Sequence, residues 1–248
     1  MSFFGKKVVH DNDVNDSLRI VSEDSPFAIK EAYKTLYTNI LYLNIEDKCK
    51  KIAMTSAVSG EGKTVASTNL AVTLAQNSTD CKVLLIDTDM RQPRVSALLG
   101  IDKDTHGLSE YLAGIDEAPN FVYVPDKKLT VLASGANNVN PTKLIGSKRM
   151  ASLIHSLEEQ FDYIVIDTPP VNIVSDAILL HELVNGYIIV TRSDYSDVKS
   201  VGEAVARLEQ INAEIFGIVL TSVKLKTMGY GKYSVKYSAS KYGKYANE

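Results

Sequence analysis

The chain contains no tryptophan and only two cysteines in 248 residues. Cys49 and Cys81 lack metal-ligand spacing, and two thiols in so long a chain do not make a disulfide framework. Four histidines, His10, His106, His155 and His181, are scattered along the sequence and suggest neither a metal site nor a nucleophilic triad. No stretch supplies the roughly 18 uninterrupted apolar residues that a membrane-spanning helix requires. The opening MSFFGKKVVHDND has a two-residue aromatic run before charges begin, unlike a secretory signal. Neither sign of charge dominates: a net charge of −3 leaves any basic patch to be local. These absences point to a soluble, cytoplasmic protein with reduced thiols.

What is present is an alternation. KIAMTSA (51–57), KVLLID (82–87), LTVLAS (129–134), YIVID (163–167), YIIVT (187–191) and IFGIVL (215–220) read as strands. Most are continuously apolar, as expected where both faces of a sheet are covered. Longer helical stretches lie between them, at 63–77, 147–160, 175–184 and 198–212. The rhythm predicts an α/β fold with a doubly wound, mostly parallel sheet and helices on both faces. Ahead of it, Ser25-Pro26 opens a further helix with proline at its first position. Its apolar stripe runs through Ile29, Ala32 or Tyr33, Leu36, Ile40 and Leu43. Residues 1–24 are polar and irregular, and 25–223 form the folded domain.

Beyond Val223 the composition changes. The segment 224–248 holds few aliphatic residues and five tyrosines, Tyr230, Tyr233, Tyr237, Tyr242 and Tyr245, four of them directly after a lysine. Too little apolar surface is available there to offset the entropy of ordering, so it reads as a flexible tail. Six lysines against one glutamate make it basic. Paired lysine and tyrosine also suit single-stranded nucleic acid or an anionic membrane. The steps between Tyr230, Tyr233 and Tyr237 permit an aromatic helix face, which the interleaved glycine and serines weaken.

The most specific signal is AVSGEGKT, Ala57 to Thr64, between the first strand and a helix. It fits the phosphate-loop pattern G-x-x-x-x-G-K-[ST] except that Ala57 replaces the first glycine. Gly60 and Gly62 let the backbone wrap phosphate oxygens, and successive N–H groups with the helix N-terminus supply positive potential. Lys63 is placed to reach the β- and γ-phosphates, and Thr64 to ligate Mg²⁺. Ser59, Gly60, Glu61, Gly62, Lys63, Thr64 and Val65 are therefore the candidate ATP-binding residues. KVLLIDTDMRQP and YIVIDTPP end strands in Asp87, Asp89 and Asp167. Open parallel sheets bind ligands at those carboxyl ends. With Thr64, the three carboxylates are candidate ligands for magnesium, a hard cation that prefers oxygen. Arg91 or Arg94 is placed to touch phosphate oxygens or to serve as a surface cation.

AVSGEGKT, LLIDTDMRQP and YIVIDTPP, in that order, resemble the Walker A, Walker A′ and Walker B motifs of the bacterial tyrosine kinases. The likeness runs from about Ser25 to the C-terminus and is nearest to the cytoplasmic CpsD/CapB type of capsular and exopolysaccharide synthesis. The resemblance implies a phosphate-loop NTPase of the MinD-like branch that uses ATP and Mg²⁺ to phosphorylate tyrosine. It also implies autophosphorylation of the tail tyrosines between subunits of a homo-oligomer and a cognate phosphotyrosine phosphatase. A transmembrane activator of the polysaccharide co-polymerase type would recruit the kinase to the inner face of the membrane. Nucleic acid is not the expected partner. Lys63, Asp87, Asp89 and Asp167 would be catalytic, with Asp87 orienting or deprotonating the incoming phenol, whose pKa is near ~10. The family's oligomerisation motif E-x-x-R-x-x-R reads here as Glu31, Lys34 and Tyr37. Lys34 lacks arginine's bidentate fork, and Tyr37 carries no charge. The rival is a nucleotide-switch ATPase like MinD or ParA, but Val58 stands where those proteins carry an extra loop lysine.

Overall fold

The computed structural model describes residues 19–77, 81–136 and 140–223. The tail tyrosines lie outside the described residues. Seven strands form one sheet in the order β3-β4-β2-β5-β1-β6-β7. They are β1 (Lys50–Ser56), β2 (Val83–Asp87), β3 (Val122–Val124), β4 (Leu129–Leu132), β5 (Tyr163–Asp167), β6 (Gly186–Arg192) and β7 (Ile215–Thr221). All pairings are parallel except that of β3 with β4. The expected doubly wound architecture is present. Strands β1, β2, β5 and β6 are buried along almost their whole length, which is why they carry continuous apolar runs rather than alternation.

Among the described residues, the helices are α1 (Phe27–Leu41), α2 (Lys63–Asn77), α3 (Val95–Leu99), α4 (Leu108–Ala113), α5 (Pro141–Ile145), α6 (Lys148–Leu157), α7 (Asp176–Leu179) and α8 (Val198–Glu209). Helices α6 and α8 begin at Ser147 and Asp197, whose side chains accept the N–H groups of Met150 and Ser200 and so satisfy otherwise orphaned donors. The helix expected at 175–184 is instead the four-residue α7 followed by a 3₁₀ turn, His181–Leu183. Strand β3 was too short to register as alternation.

Three apolar clusters cover the sheet. One joins α1, α2 and α3 to one face, through Ile40, Leu70, Leu74, Leu85, Leu98 and Val190 among others. A second packs α4 and α6 against Leu84, Ile86, Ile164 and Ile166, and a third seats α8 on Ala53 and Ile189. Helix α2 is buried along most of its length, so its neighbours settle its place more than any amphipathic stripe does. Helix α1 engages only partly. Ile40 is buried and Leu36 and Tyr37 pack on the core, whereas Phe27 is 65% exposed and Tyr42 84%. The stripe predicted for this helix is thus covered at its C-terminal end and open at Ile29.

The irregular segment before α1 belongs to the packed body from Arg19 onward. Ile20 is buried, and Asn69 of α2 clamps the irregular run on both sides. Its Oδ1 accepts the Val21 N–H at 2.7 Å, and its Nδ2 donates to the Arg19 carbonyl at 2.9 Å and the Tyr33 hydroxyl at 3.2 Å. Removing one partner of a buried bond leaves the other unsatisfied, at ~1–3 kcal/mol. Asn69→Ala should therefore lower unfolding stability by about 2–3 kcal/mol and open residues 19–25 to proteolysis. Urea denaturation with limited digestion checks both, and cleavage no faster than in wild type would argue against the clamp.

Candidate functional site

The site follows from strand order. The phosphate loop leaves β1, and the two acidic motifs end β2 and β5, which are consecutive neighbours in the sheet. Asp87 and Asp167 are direct register partners, so two carboxylates stand side by side at a carboxyl edge. Loops beyond the strands keep this geometry. Thr88 donates to the Asp167 carbonyl through both N–H and hydroxyl, at 2.9 and 2.7 Å, and the N–H of Val171 donates to the Ser56 carbonyl at 2.9 Å.

Gly60 and Gly62 adopt φ of +85° and +84°, the left-handed region where a Cβ is strained. Alternating left-handed residues turn successive N–H groups toward one concave side and make an anion-binding nest. The loop runs directly into α2, whose first residues are Lys63 and Thr64, adding the helix N-terminus to that nest. Lys63 is buried, and its Nζ donates to Asp167 Oδ1 at 3.1 Å and to Asp89 Oδ2 at 3.4 Å. Thr64 Oγ1 donates to Asp167 Oδ2 at 2.8 Å, and Ser67, one turn later, reaches Asp167 Oδ1 at 3.0 Å. Ser67 was not singled out from the sequence, although its spacing of three from Thr64 places it on the same helix face.

Charge does not balance here. One ammonium faces the carboxylates of Asp87, Asp89 and Asp167, all buried. Desolvation and the adjacent Asp167 charge, opposed by Lys63, push the Asp87 carboxyl up to about 8. Burial likewise raises Asp167, against the pull of Lys63 and Thr64. For Lys63, burial disfavours the ammonium, but Asp167 and Asp89 outweigh it and the net shift is upward. An excess of negative oxygen donors in a dry site suits a hard divalent cation. Among the described residues no three acidic side chains converge as a ready-made cation site. Both oxygens of Asp87 are taken by main-chain N–H groups, those of Asp89 at 3.0 Å and Val95 at 3.3 Å. Asp89 accepts from Lys63 and the Gln92 N–H, and Asp167 from Lys63, Thr64 and Ser67, so with Thr64 these two meet the loop through side chains that phosphate and an ion could displace. Such a sparse set matches the habit of Mg²⁺ of binding through one or two carboxylates plus substrate phosphates.

Above these groups lies a cleft of about 400 Å³, lined by the phosphate loop from Ser59 to Val65, and by Asp89, Pro170, Arg19, Arg94 and Arg192. Of the two arginines weighed from the sequence, Arg94 faces the cleft. Arg91 is turned to the buried Asp176, with Nε 3.1 Å from Oδ2 and Nη2 2.8 Å from the Thr142 hydroxyl. Arg19 and Arg192 were missed: the first lies in an irregular segment, the second ends a strand outside any motif. The proposed oligomerisation residues sit on α1. Lys34 pairs with Glu31 at 3.1 Å on the exposed surface, while Tyr37 packs on its own domain.

The charge imbalance has a pH consequence. The folded state holds the Asp87 proton up to about 8, the unfolded chain only to its ordinary 3.8. The native state therefore binds more protons, and the stabilisation is complete below the lower value and lost as pH rises through the upper one. Without Mg²⁺, the melting temperature of the wild type should fall between pH 6 and 9 more steeply than that of Asp87→Asn. A divergence of about 4 °C corresponds to ~1–2 kcal/mol in a domain this size. Parallel curves would mean that Asp87 does not carry the charge penalty.

The chain's similarities agree with this arrangement. A protein-family profile described as an AAA domain matches residues 49–218. Tyrosine-protein kinase YwqD of Bacillus subtilis is 34% identical over 208 residues, covering 83% of this chain and 86% of that protein. Tyrosine-protein kinase CpsD of Streptococcus pneumoniae serotype 4 is 36% identical over 206 residues, 82% of this chain and 88% of its relative. Among solved structures, the kinase domain of the Escherichia coli tyrosine kinase ETK superposes with a TM-score of 0.71 at 32% identity, covering 78% of this chain and 77% of that one. With its phosphate loop, strand-end aspartates and coverage of 77–88% of these relatives, the chain belongs to the bacterial tyrosine kinase family.

Proposed function

We propose that this chain is an ATP- and Mg²⁺-dependent protein-tyrosine autokinase whose substrate is its own tail, at Tyr230, Tyr233, Tyr237, Tyr242 and Tyr245. The observation that carries the reading is Lys63, held between Asp89 and Asp167 at the mouth of a glycine-wrapped loop. Phosphoryl transfer asks chiefly for positioning and charge stabilisation, which such a loop can supply without the H-R-D and D-F-G segments of other kinases. Nucleotide phosphates would draw Lys63 from its carboxylate partners toward the β- and γ-oxygens. Mg²⁺, held by Thr64 with Asp89 and Asp167, would neutralise charge on the transferring group. Asp87, with its raised proton affinity, would orient or take the proton of the incoming phenol, matching a base to the operating pH.

The tail suits transfer between subunits. Behaving as a flexible chain, the segment 224–248 would span roughly 27 Å, against a domain radius of gyration near ~17 Å. Each phosphotyrosine adds about −1.5 to −2, so full modification would invert the charge of a tail with six lysines and one glutamate. We assign that inversion the control of assembly, through exposed apolar residues on and just after α1, Phe27 and Tyr42, and the pair Glu31–Lys34. Capsular or exopolysaccharide polymerisation or export is the proposed process. Its other components would be a transmembrane activator that recruits the kinase to the inner membrane face and a phosphatase that resets it. No helix among the described residues is long and apolar enough to cross a membrane.

Intact mass after incubation with Mg-ATP tests the reading. The wild type should gain one phosphate at a time, up to five on the tail. Lys63→Met and the five-fold tail Tyr→Phe variant should gain none there. ATP hydrolysis without mass steps, even with a candidate activator's cytoplasmic segment present, would favour a nucleotide-switch ATPase instead.

A further inference from the structure

A phosphate loop has two sides. Its N–H groups turn inward to the anion, so its carbonyls must turn outward and find donors elsewhere. Three consecutive outward carbonyls are met here by side chains from beyond the loop. The Tyr195 hydroxyl donates to Ser59 O at 3.3 Å, Arg192 Nη1 to Gly60 O at 3.5 Å, and Thr221 Oγ1 to Glu61 O at 2.6 Å. Arg192 and Thr221 are register partners at the carboxyl ends of β6 and β7. The Arg192 guanidinium lies 5.4 Å from the centre of the Tyr195 ring, which holds the two donors as a unit.

Glu61 is gripped a second time. Its side chain is buried, and the carboxylate accepts the Val58 N–H at 2.8 Å and the Ser196 hydroxyl. A carboxylate inside a phosphate loop is thereby turned away from the anion. Packing makes the same point independently. A Cβ on Gly60 would stand 3.4 Å from the Tyr195 hydroxyl oxygen, and one on Gly62 3.3 Å from Thr221 Oγ1. The outer wall therefore rests directly beneath both left-handed glycines.

We propose that Thr221, with Tyr195 and Arg192, is a positioning residue for ATP: it sets the phosphate loop from outside by holding the carbonyls whose own peptide units present N–H groups to the phosphates. A donor on a carbonyl polarises the peptide and strengthens its N–H as a donor in turn. It also fixes peptide orientation before nucleotide arrives, which removes an ordering penalty from binding. Thr221 and Tyr195 lie outside the lining of the cleft, which Arg192 shares, so the role of the wall is read at Thr221 and Tyr195. The wall acts on the ground state and transition state alike, so its loss should appear in nucleotide affinity rather than in turnover.

This inference rests on the ATP-dependent reading, and the experiment separates the two. Mg-ATP affinity is measured by calorimetry on the full chain, beside kcat for phosphate incorporation at saturating ATP and the melting temperature. Thr221→Val keeps the shape and removes the donor. It should weaken Mg-ATP binding about five- to tenfold, with kcat within about twofold. Thr221→Ser, which restores the hydroxyl, should recover wild-type affinity. Tyr195→Phe, at an exposed position that tolerates the change, should weaken binding about two- to threefold. Wild-type affinity in Thr221→Val, or a serine variant as weak as the valine one, overturns the proposal. A loss of kcat with unchanged affinity overturns it as well. A wild-type chain that binds no Mg-ATP removes the ATP-dependent reading and this inference with it.

Discussion

The contact of Lys63 with Asp167 and Asp89 is the interaction on which the rest depends. It is the only place where the charge of the loop meets the charge of the neighbouring strand ends among the described ion pairs, at 3.1 and 3.4 Å in a buried setting. Breaking such a pair by removing one partner leaves an uncompensated buried charge, ordinarily a loss of ~3–5 kcal/mol. The pair is also incomplete, because one ammonium answers three carboxylates. A domain that keeps this imbalance gives up stability at neutral pH and holds a buried excess of negative oxygen beside an anion-binding loop. The pKa rise at Asp87 and the surplus of buried oxygen donors around Lys63 are two expressions of the same excess charge.

Around that pair the loop is organised on both sides. Inward, the nest and the start of α2 present N–H groups and the Lys63 ammonium. Outward, the ends of β6 and β7 supply hydroxyl and guanidinium donors. Thr221 of that outer layer ends the last strand of the described residues. The end of β7 and the nucleotide loop are thus neighbours in the fold although 160 residues separate Glu61 from Thr221 in the chain.

Much of the architecture was legible because fully buried parallel strands leave an unmistakable trace. The runs 82–87 and 163–167 became β2 and β5 almost residue for residue. Capped helices were legible too, as at Ser147 and Asp197. Short elements were not. Helices α3, α4 and α5 span five or six residues each, too few for a 3.6-residue period to repeat. The stretch 175–184 kept an apolar character but broke into α7 and a 3₁₀ turn, since tertiary contacts such as the Arg91–Asp176–Thr142 cluster override a weak local preference. The two arginines after Asp89 were indistinguishable by type and spacing. Only Asp176, 85 residues further on, turned Arg91 from the cleft and left Arg94 in it.

By itself the sequence determined the fold class, the phosphate loop and the strand-end acids, because each is encoded within a dozen residues by patterning or by glycine at a required left-handed φ. Tertiary structure alone decided which acids meet the loop's side chains and which is held by backbone, which arginine faces the cleft, and what stands behind the loop. Those outcomes depend on residues far apart in the chain that strand order brings to one edge. Asp87 lost both oxygens to backbone N–H groups of the turn that follows it, and Thr221 reached Glu61 because β7 pairs with β6 in one particular register. Local sequence carries no trace of such partners, since the energy that selects them is that of the assembled sheet.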